Sequence, residues 1–314
     1  MSDTIGLLVM TYGSPSNKDD VRPYLKNIRK GKEPSDELVE KFKERYEIIG
    51  GSPLNEITRK QAEGAAEILS NQLENRTAKA YVGMHHWKPT IEDAVELMAN
   101  DGIDQAVALI MSPQYSPILM KGYEEDLNDA LESVPGAPEV NLVKEWWDNG
   151  YYHKSVAARI KEALDDYPES VREKVPLLLT AHSIPKRVDD EDPQYVEKLK
   201  KTAERIMQYV DHENWDFAYQ SAGHTKEEWL KPDMTDLFPG FAEKGRSNVL
   251  IAPFQFLADH LEILYDIDVE AKKQAEEENL SFKRIPSLND HQLLLKAMAD
   301  AAYSELIKQS AQAS

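Results

Sequence analysis

The sequence predicts an α/β protein of two domains, each built on a four-stranded parallel sheet flanked by helices. Three observations carry that expectation. Eight apolar runs of strand length alternate with long amphipathic stretches, the pattern of parallel strands joined by helical crossovers. The chain has 314 residues, more than one small core requires and comfortable for two. Its halves also echo each other: GLLVMTYGSP near the N-terminus is matched by PLLLTAHSIP in the middle, and ALIMSP, ending at Pro113, by VLIAP, ending at Pro253.

In chain order, strands are expected at residues 5–10, 78–83, 106–111 and 141–145, and then at 175–181, 217–220, 248–253 and 282–285. Amphipathic helices are expected at 37–49, 58–73, 91–100, 152–166, 194–209 and 292–307. The stretch YPESVREK, residues 167–174, is polar and turn-prone, which sets the expected domains at 1–170 and 171–290, with 291–314 a C-terminal helix. Ligands of open parallel sheets bind beyond the carboxyl ends of the strands. Tyr12 and His182, each at such an end, are therefore expected to face one cleft if the two halves face each other.

The balance of 37 Lys and Arg against 56 Asp and Glu gives a formal charge of -19, which opposes a phosphate backbone, so nucleic acid is not an expected partner. The chain has 0 Cys, which excludes disulfides, thiolate nucleophiles, thiolate-held zinc and a cysteine-ligated iron–sulfur cluster. Any metal must be held by His, carboxylate or Tyr. The first apolar run is short and preceded by Asp3 without a basic residue, unlike a signal peptide, and no stretch approaches the roughly 20 apolar residues of a membrane span. A cytoplasmic protein is expected.

The most informative segment is ADHLEILYDIDVEAK, residues 258–272, in which Glu262, Asp266 and Glu270 are spaced four apart. On an α-helix each such step advances the side chain by about 40°, so the three carboxylates form a line roughly 12 Å long on one face. That line reads either as a solvated acidic face or as a path for a cation, since oxygen ligands suit hard divalent ions and no Lys or Arg is interleaved. His182, where a strand hands over to a loop, is either a hydrogen-bonded structural residue or a ligand; with Glu262 it makes a mixed nitrogen and oxygen site suited to ferrous iron. Tyr12 is either a packing aromatic or a phenolate ligand of the kind that haem iron accepts.

Taken together, GLLVMTYGSP, the block IRKGKEPSDELVEKFKERYEIIGGSPL, YVGMHH, TAHSIP, YQSAG with the later Trp229, and ADHLEILYD resemble the motifs of the ferrochelatases, in the same order and over most of the chain. The likeness is greatest to the short, cysteine-free enzymes of Gram-positive bacteria that use coproporphyrin. The resemblance implies two Rossmann-like, chelatase-like domains, with the C-terminal helix packed back on the first. It implies a lyase that inserts ferrous iron into coproporphyrin III for haem b, with His182 and Glu262 as the catalytic pair and inner iron site. Asp266 and Glu270 would lead iron inward from a segment widened into a π-type turn. Tyr12, Arg29, Arg45, Tyr46, Ser52 and Tyr123 match positions that hold the tetrapyrrole, Tyr12 also being the axial ligand of the product iron. Arginine forks suit propionates. Expected partners are porphyrin, ferrous iron and, transiently, a downstream haem-pathway enzyme; no cofactor beyond substrate iron is implied, and a monomer is expected.

Departures from the family pattern are visible. His85 stands where relatives often carry Lys, and Gln114 where His is common. Tyr219, Ala222 and His224 replace residues of a WQSEGN-like stretch, and Gln255 with Phe256 departs from Gly-Phe. Rival readings are a protoporphyrin ferrochelatase, a cobalt or nickel tetrapyrrole chelatase, and a non-enzymatic porphyrin carrier. A carrier has no use for the acidic line, and neither GxGxxG nor a Walker motif follows any strand.

Overall fold

A computed structural model describes residues 3–223 and 226–312. Among the described residues there are two four-stranded sheets, all pairs parallel. The first is made of β1 (Thr4–Thr11), β2 (Thr77–Met84), β3 (Gln105–Ile110) and β4 (Glu139–Val143) in the order β2-β1-β3-β4. The second is made of β5 (Leu177–His182), β6 (Trp215–Gln220), β7 (Asn248–Ala252) and β8 (Ser281–Arg284) in the order β6-β5-β7-β8. All eight strands stand where the apolar runs placed them, and the two orders are the same.

Burial explains the composition of each strand. The central strands β1 and β5 are covered on both faces and read as continuous apolar runs, IGLLVM and LLLTA, whereas the edge strands β2 and β4 carry Lys79 and Glu139. In the first unit Leu8, Met10, Ala106, Ala108 and Ile110 pack with Ile91, Val95 and Met98 of α4 and Leu127 of α5. The helices of this unit are α1 (Val21–Ile28), α2 (Asp36–Ile48), α3 (Leu54–Gln72), α4 (Ile91–Asn100) and α5 (Lys121–Ser133). The entry to α4 is fixed by a capping box: the Thr90 hydroxyl accepts from Asp93 N–H at 3.0 Å and the Asp93 carboxylate from Thr90 N–H at 2.7 Å.

The C-terminal helix Gln292–Gln312 packs on α3, β3 and β4. Gly64 of α3 leaves room for Leu295, whose Cδ1 would lie 2.6 Å from an added Cβ, and Gln61 donates to the Asn289 carbonyl at 2.8 Å. Residues from Asn289 onward therefore group with those up to Asn149, and Gly150–Leu288 forms the second unit.

The domain boundary lies earlier than the polar stretch 167–174 suggested. Helix α6 (Gly150–Asp165) belongs to the second unit because its apolar face, Tyr152, Val156, Ile160 and Ala163, is buried against β7 and the helix Pro193–Met207. The Tyr152 hydroxyl also donates to the Phe254 carbonyl at 2.8 Å. The polar stretch marks the end of that helix and not the end of a domain. No described helix is long and apolar enough to cross a membrane.

Candidate functional site

In the second unit, the segment after β7 forms a π-helix, Glu262–Ala271, in which the Lys272 N–H reaches back to the Ile267 carbonyl. Its turns are wider than the 3.6 residues of an α-helix, so a four-residue step falls just short of a full turn instead of overshooting it. Two rows result. Ile263, Ile267 and Ala271 are buried in the core with Leu178, Val249 and Ile251. One residue earlier in each step come Glu262 and Asp266, both partly buried, and Glu270, which is exposed.

His182 ends β5, and two contacts fix its place. Its backbone N–H donates to Gln255 Oε1 at 2.8 Å, and Gln255 Nε2 in turn donates to the Tyr195 hydroxyl at 2.6 Å. The β5–β7 pairing stops at Leu179 and Ala252, so the Gln255 side chain supplies an acceptor where strand pairing has ended. His182 Nδ1 bonds the Ser183 carbonyl, which leaves the Nε2 lone pair outward in the neutral ring. Nε2 lies 3.6 Å from Glu262 Oε2.

His260 repeats the arrangement. Its Nδ1 donates to the Ala258 carbonyl at 3.0 Å, and its Nε2 lies 3.6 Å from the same Glu262 oxygen. Such a gap is too long for a direct hydrogen bond and is roughly the separation of two ligands each about 2.1 Å from one metal ion. Phe256 packs between the imidazoles, with ring centroids 4.6 Å from His260 and 6.1 Å from His182. No group of three His, Asp or Glu closed enough to hold a metal ion exists among the described residues.

The segment is braced from β8. Arg284, its side chain only 12% exposed, makes two 2.7 Å bonds to the Asp268 carboxylate and lies 3.5 Å from Asp259. Asp259 also accepts from the Ser287 hydroxyl at 2.7 Å. Two residues bracketing His260 and Glu262 are thereby tied to one cation.

In the first unit, Tyr12 follows β1 and is 43% exposed. Beyond β2 the chain continues alongside it: His85 N–H donates to the Thr11 carbonyl at 2.9 Å and His86 N–H to the Tyr12 carbonyl at 3.0 Å. The Tyr12 and His86 rings meet edge to face at 4.4 Å. His85 lies against His86 at 3.9 Å and against Tyr123 at 4.9 Å, with its Nδ1 2.5 Å from the Asp126 carboxylate. Burial, and then the charge of His85, push the His86 imidazole down to about 4. Burial also raises the Tyr123 phenol well above its ordinary range, followed by the charges of Tyr12 and Asp126.

The turn after Tyr12 requires glycine. Gly13 has φ +87°, and an added Cβ would sit 2.8 Å from the Trp87 Cβ. Tyr46, buried on α2, places its hydroxyl 3.2 Å from Ser14 Oγ. Arg45 precedes it, half-buried; Arg29 is exposed past the end of α1; and Ser52 Oγ accepts the Leu54 N–H at 3.4 Å.

Of the residues singled out in the sequence, the structure brings His182 to Glu262, sets Asp266 and Glu270 along the same helix, and links Tyr12 to Tyr123 through His86 and His85. His260, Asp126 and Arg284 were missed, and Gln255 was noted only as a departure from the family pattern. A His two residues before Glu262 was a visible signal for the first; the others act across gaps of 16 to 73 residues that no local pattern spans. Of the departures, Gln114 is fully buried, and His224 lies outside the described residues.

Comparison with known proteins agrees with this chemistry. The Ferrochelatase family model matches residues 4–306. The protein named coproporphyrin III ferrochelatase in Anoxybacillus flavithermus is 36% identical over 97% of both chains, and that of Geobacillus kaustophilus 37% identical over 94% of both. A ferrochelatase of Herpetosiphon aurantiacus is 36% identical over 98% of both. Among solved structures, SirB from Bacillus subtilis with Fe3+ superposes with a TM-score of 0.62 over 98% of both chains at 11% identity, a likeness of fold alone. With a family match from β1 into the C-terminal helix and relatives of this identity along nearly its whole length, the chain belongs to the ferrochelatase family.

Proposed function

We propose that this protein inserts ferrous iron into coproporphyrin III, a lyase-type chelatase reaction in haem b biosynthesis. The observation that carries the reading is the single Glu262 oxygen flanked at 3.6 Å by two imidazole nitrogens, both rings tied through Nδ1 to backbone carbonyls. Relatives in Anoxybacillus and Geobacillus named coproporphyrin III ferrochelatase support the choice of porphyrin.

Insertion exchanges one ferrous ion for two pyrrole protons, so the site must pass a cation inward and accept protons. Asp266 and Glu270 conduct iron along the π-helix to His182 and Glu262. Neutral imidazole and carboxylate bind ferrous iron without the permanence of a thiolate cage, which suits a metal that is substrate and not resident cofactor. His182 and Glu262 then take the two protons as iron leaves them for the pyrrole nitrogens. In the first unit Arg29 and Arg45 fork onto propionates, with Tyr46, Ser52 and Tyr123 completing the hold on the macrocycle, and Tyr12 ligates the product iron. The enzyme works in the cytoplasm as a monomer and passes its product transiently to the next haem-pathway enzyme.

Anaerobic insertion followed by absorbance tests the reading, with coproporphyrin III and protoporphyrin IX compared and with cobalt and nickel offered in place of iron. Faster iron insertion into coproporphyrin is expected. Preference for protoporphyrin, or for another metal, would reassign the substrate, and tight porphyrin binding without turnover would make the protein a carrier.

A further inference from the structure

His85 is held more tightly than its position in a loop requires. Its backbone is fixed beside β1 by the Thr11 carbonyl, and its imidazole is then gripped from three sides by α5 and by its neighbour. Asp126 accepts from Nδ1 at 2.5 Å, and its carboxylate side chain is 39% exposed. Gly122, one turn earlier on α5, forms the seat: an added Cβ would overlap the imidazole, 2.5 Å from Nε2 and 2.6 Å from Cε1. The His85 ring centroid lies 4.9 Å from that of Tyr123 and 3.9 Å from that of His86, with the planes tilted by 35° and 41°.

A hydrogen bond at Nδ1 fixes the plane of the ring as well as its place, because rotation about the Cβ–Cγ bond would break it. His86 packs against that ring at 3.9 Å and meets the half-exposed ring of Tyr12 edge to face at 4.4 Å. A lysine at position 85 would put a cation beside Asp126 and offer no ring face.

We infer that His85 and Asp126 are positioning residues that set the ring plane of Tyr12 through His86, and so fix the geometry of tyrosinate ligation to the iron of the product. The inference rests on the assignment of Tyr12 as axial ligand. The contacts that join them to Tyr12 run through His86, so the role assigned to them is one of positioning.

The experiment uses the full chain loaded with ferric coproporphyrin III and reads the tyrosinate-to-iron charge-transfer absorption and the high-spin electron paramagnetic resonance signal. Tyr12→Phe, His85→Lys and Asp126→Asn are compared with the unaltered protein. Tyr12→Phe should abolish the charge-transfer band. His85→Lys should shift that band and broaden the resonance, and Asp126→Asn should do so in the same direction and less. The partly exposed Asp126 makes its variant the safer one to fold, and thermal melting monitors both. Loss of the band in Tyr12→Phe with unaltered signals in the other two would overturn the positioning role alone. An unchanged spectrum in Tyr12→Phe would remove Tyr12 as the ligand and the positioning role with it.

Discussion

The two sheets share one strand order, yet the ends of β1 and β5, topologically equivalent strands, carry unlike chemistry. Past β1 aromatic and imidazole rings form a series, Tyr12, His86, His85 and Tyr123, with the Asp126 carboxylate bonded to His85. Past β5 an imidazole meets a carboxylate, and the row of the helix after β7 that starts at Glu262 continues with Asp266 and Glu270. The helix in the corresponding place of the first unit, α5, is an ordinary α-helix, whereas the one after β7 opens into a π-helix. A repeated backbone thus fixes where chemistry is presented, and the residues just past each strand decide what it is: ring faces and hydrogen-bonding groups in one unit, which the proposed function gives to the macrocycle, and imidazole and carboxylate groups in the other, which it gives to the cation.

The comparison breaks most visibly at Glu262. Glu262→Gln keeps the size of the side chain and removes the charge, so iron insertion should fall by at least about 100-fold, the scale of a lost acid–base group, in an anaerobic stopped-flow assay. A rate within a few-fold of normal would contradict the assignment of the second unit to the metal.

Arg284→Met tests what holds the π-helix. It leaves Asp268 and Asp259 without their cation, and thermal or urea unfolding should show a loss of about 3 kcal/mol. An accompanying rise in KM for iron with little change in porphyrin affinity would tie the brace to Glu262 and His260.

A smaller effect is expected from Gln255→Ala. It strips the acceptor from the His182 N–H and the donor from the Tyr195 hydroxyl, a cost of about 2 kcal/mol for buried polar groups left unpaired. Urea unfolding measures it, and a loss below about 0.5 kcal/mol would mean that water replaces the amide.

The mildest probe is pH. The His86 imidazole titrates at about 4 in the folded protein against an ordinary 6.5. The unfolded chain therefore takes up that proton first as pH falls, and the contribution of His86 to stability is present above about 6.5 and lost progressively toward about 4. His86→Gln should flatten the decline of melting temperature across that window, and an unchanged slope would show that the ring is not held uncharged by its surroundings.

Much of the fold was legible because buried parallel strands must be apolar on both faces, which made IGLLVM and LLLTA stand out without context. The domain boundary was not. A polar turn looks the same whether it ends a helix or a domain, and only the burial of Tyr152 and Ile160 against the second sheet tells which. The site was legible in part. Four-residue spacing of Glu262, Asp266 and Glu270 fits an α-helix and a π-helix alike, so the spacing revealed the acidic row and only the family resemblance suggested its π geometry. The roles of Gln255 and Asp126 were invisible because their partners lie 73 and 41 residues away, contacts that exist only once the sheets have formed.

A crossed measurement separates the roles proposed for the two units: coproporphyrin III affinity by fluorescence quenching, together with anaerobic iron insertion, for Glu262→Gln and Arg45→Ala side by side. Glu262→Gln should bind the porphyrin within about twofold of normal and fail to insert iron, consistent with a lost acid–base group. Arg45→Ala should bind it roughly tenfold more weakly, the scale of one charge-assisted contact, yet turn over near the normal rate at saturation. Porphyrin affinity lost with Glu262 and retained without Arg45 would contradict those roles.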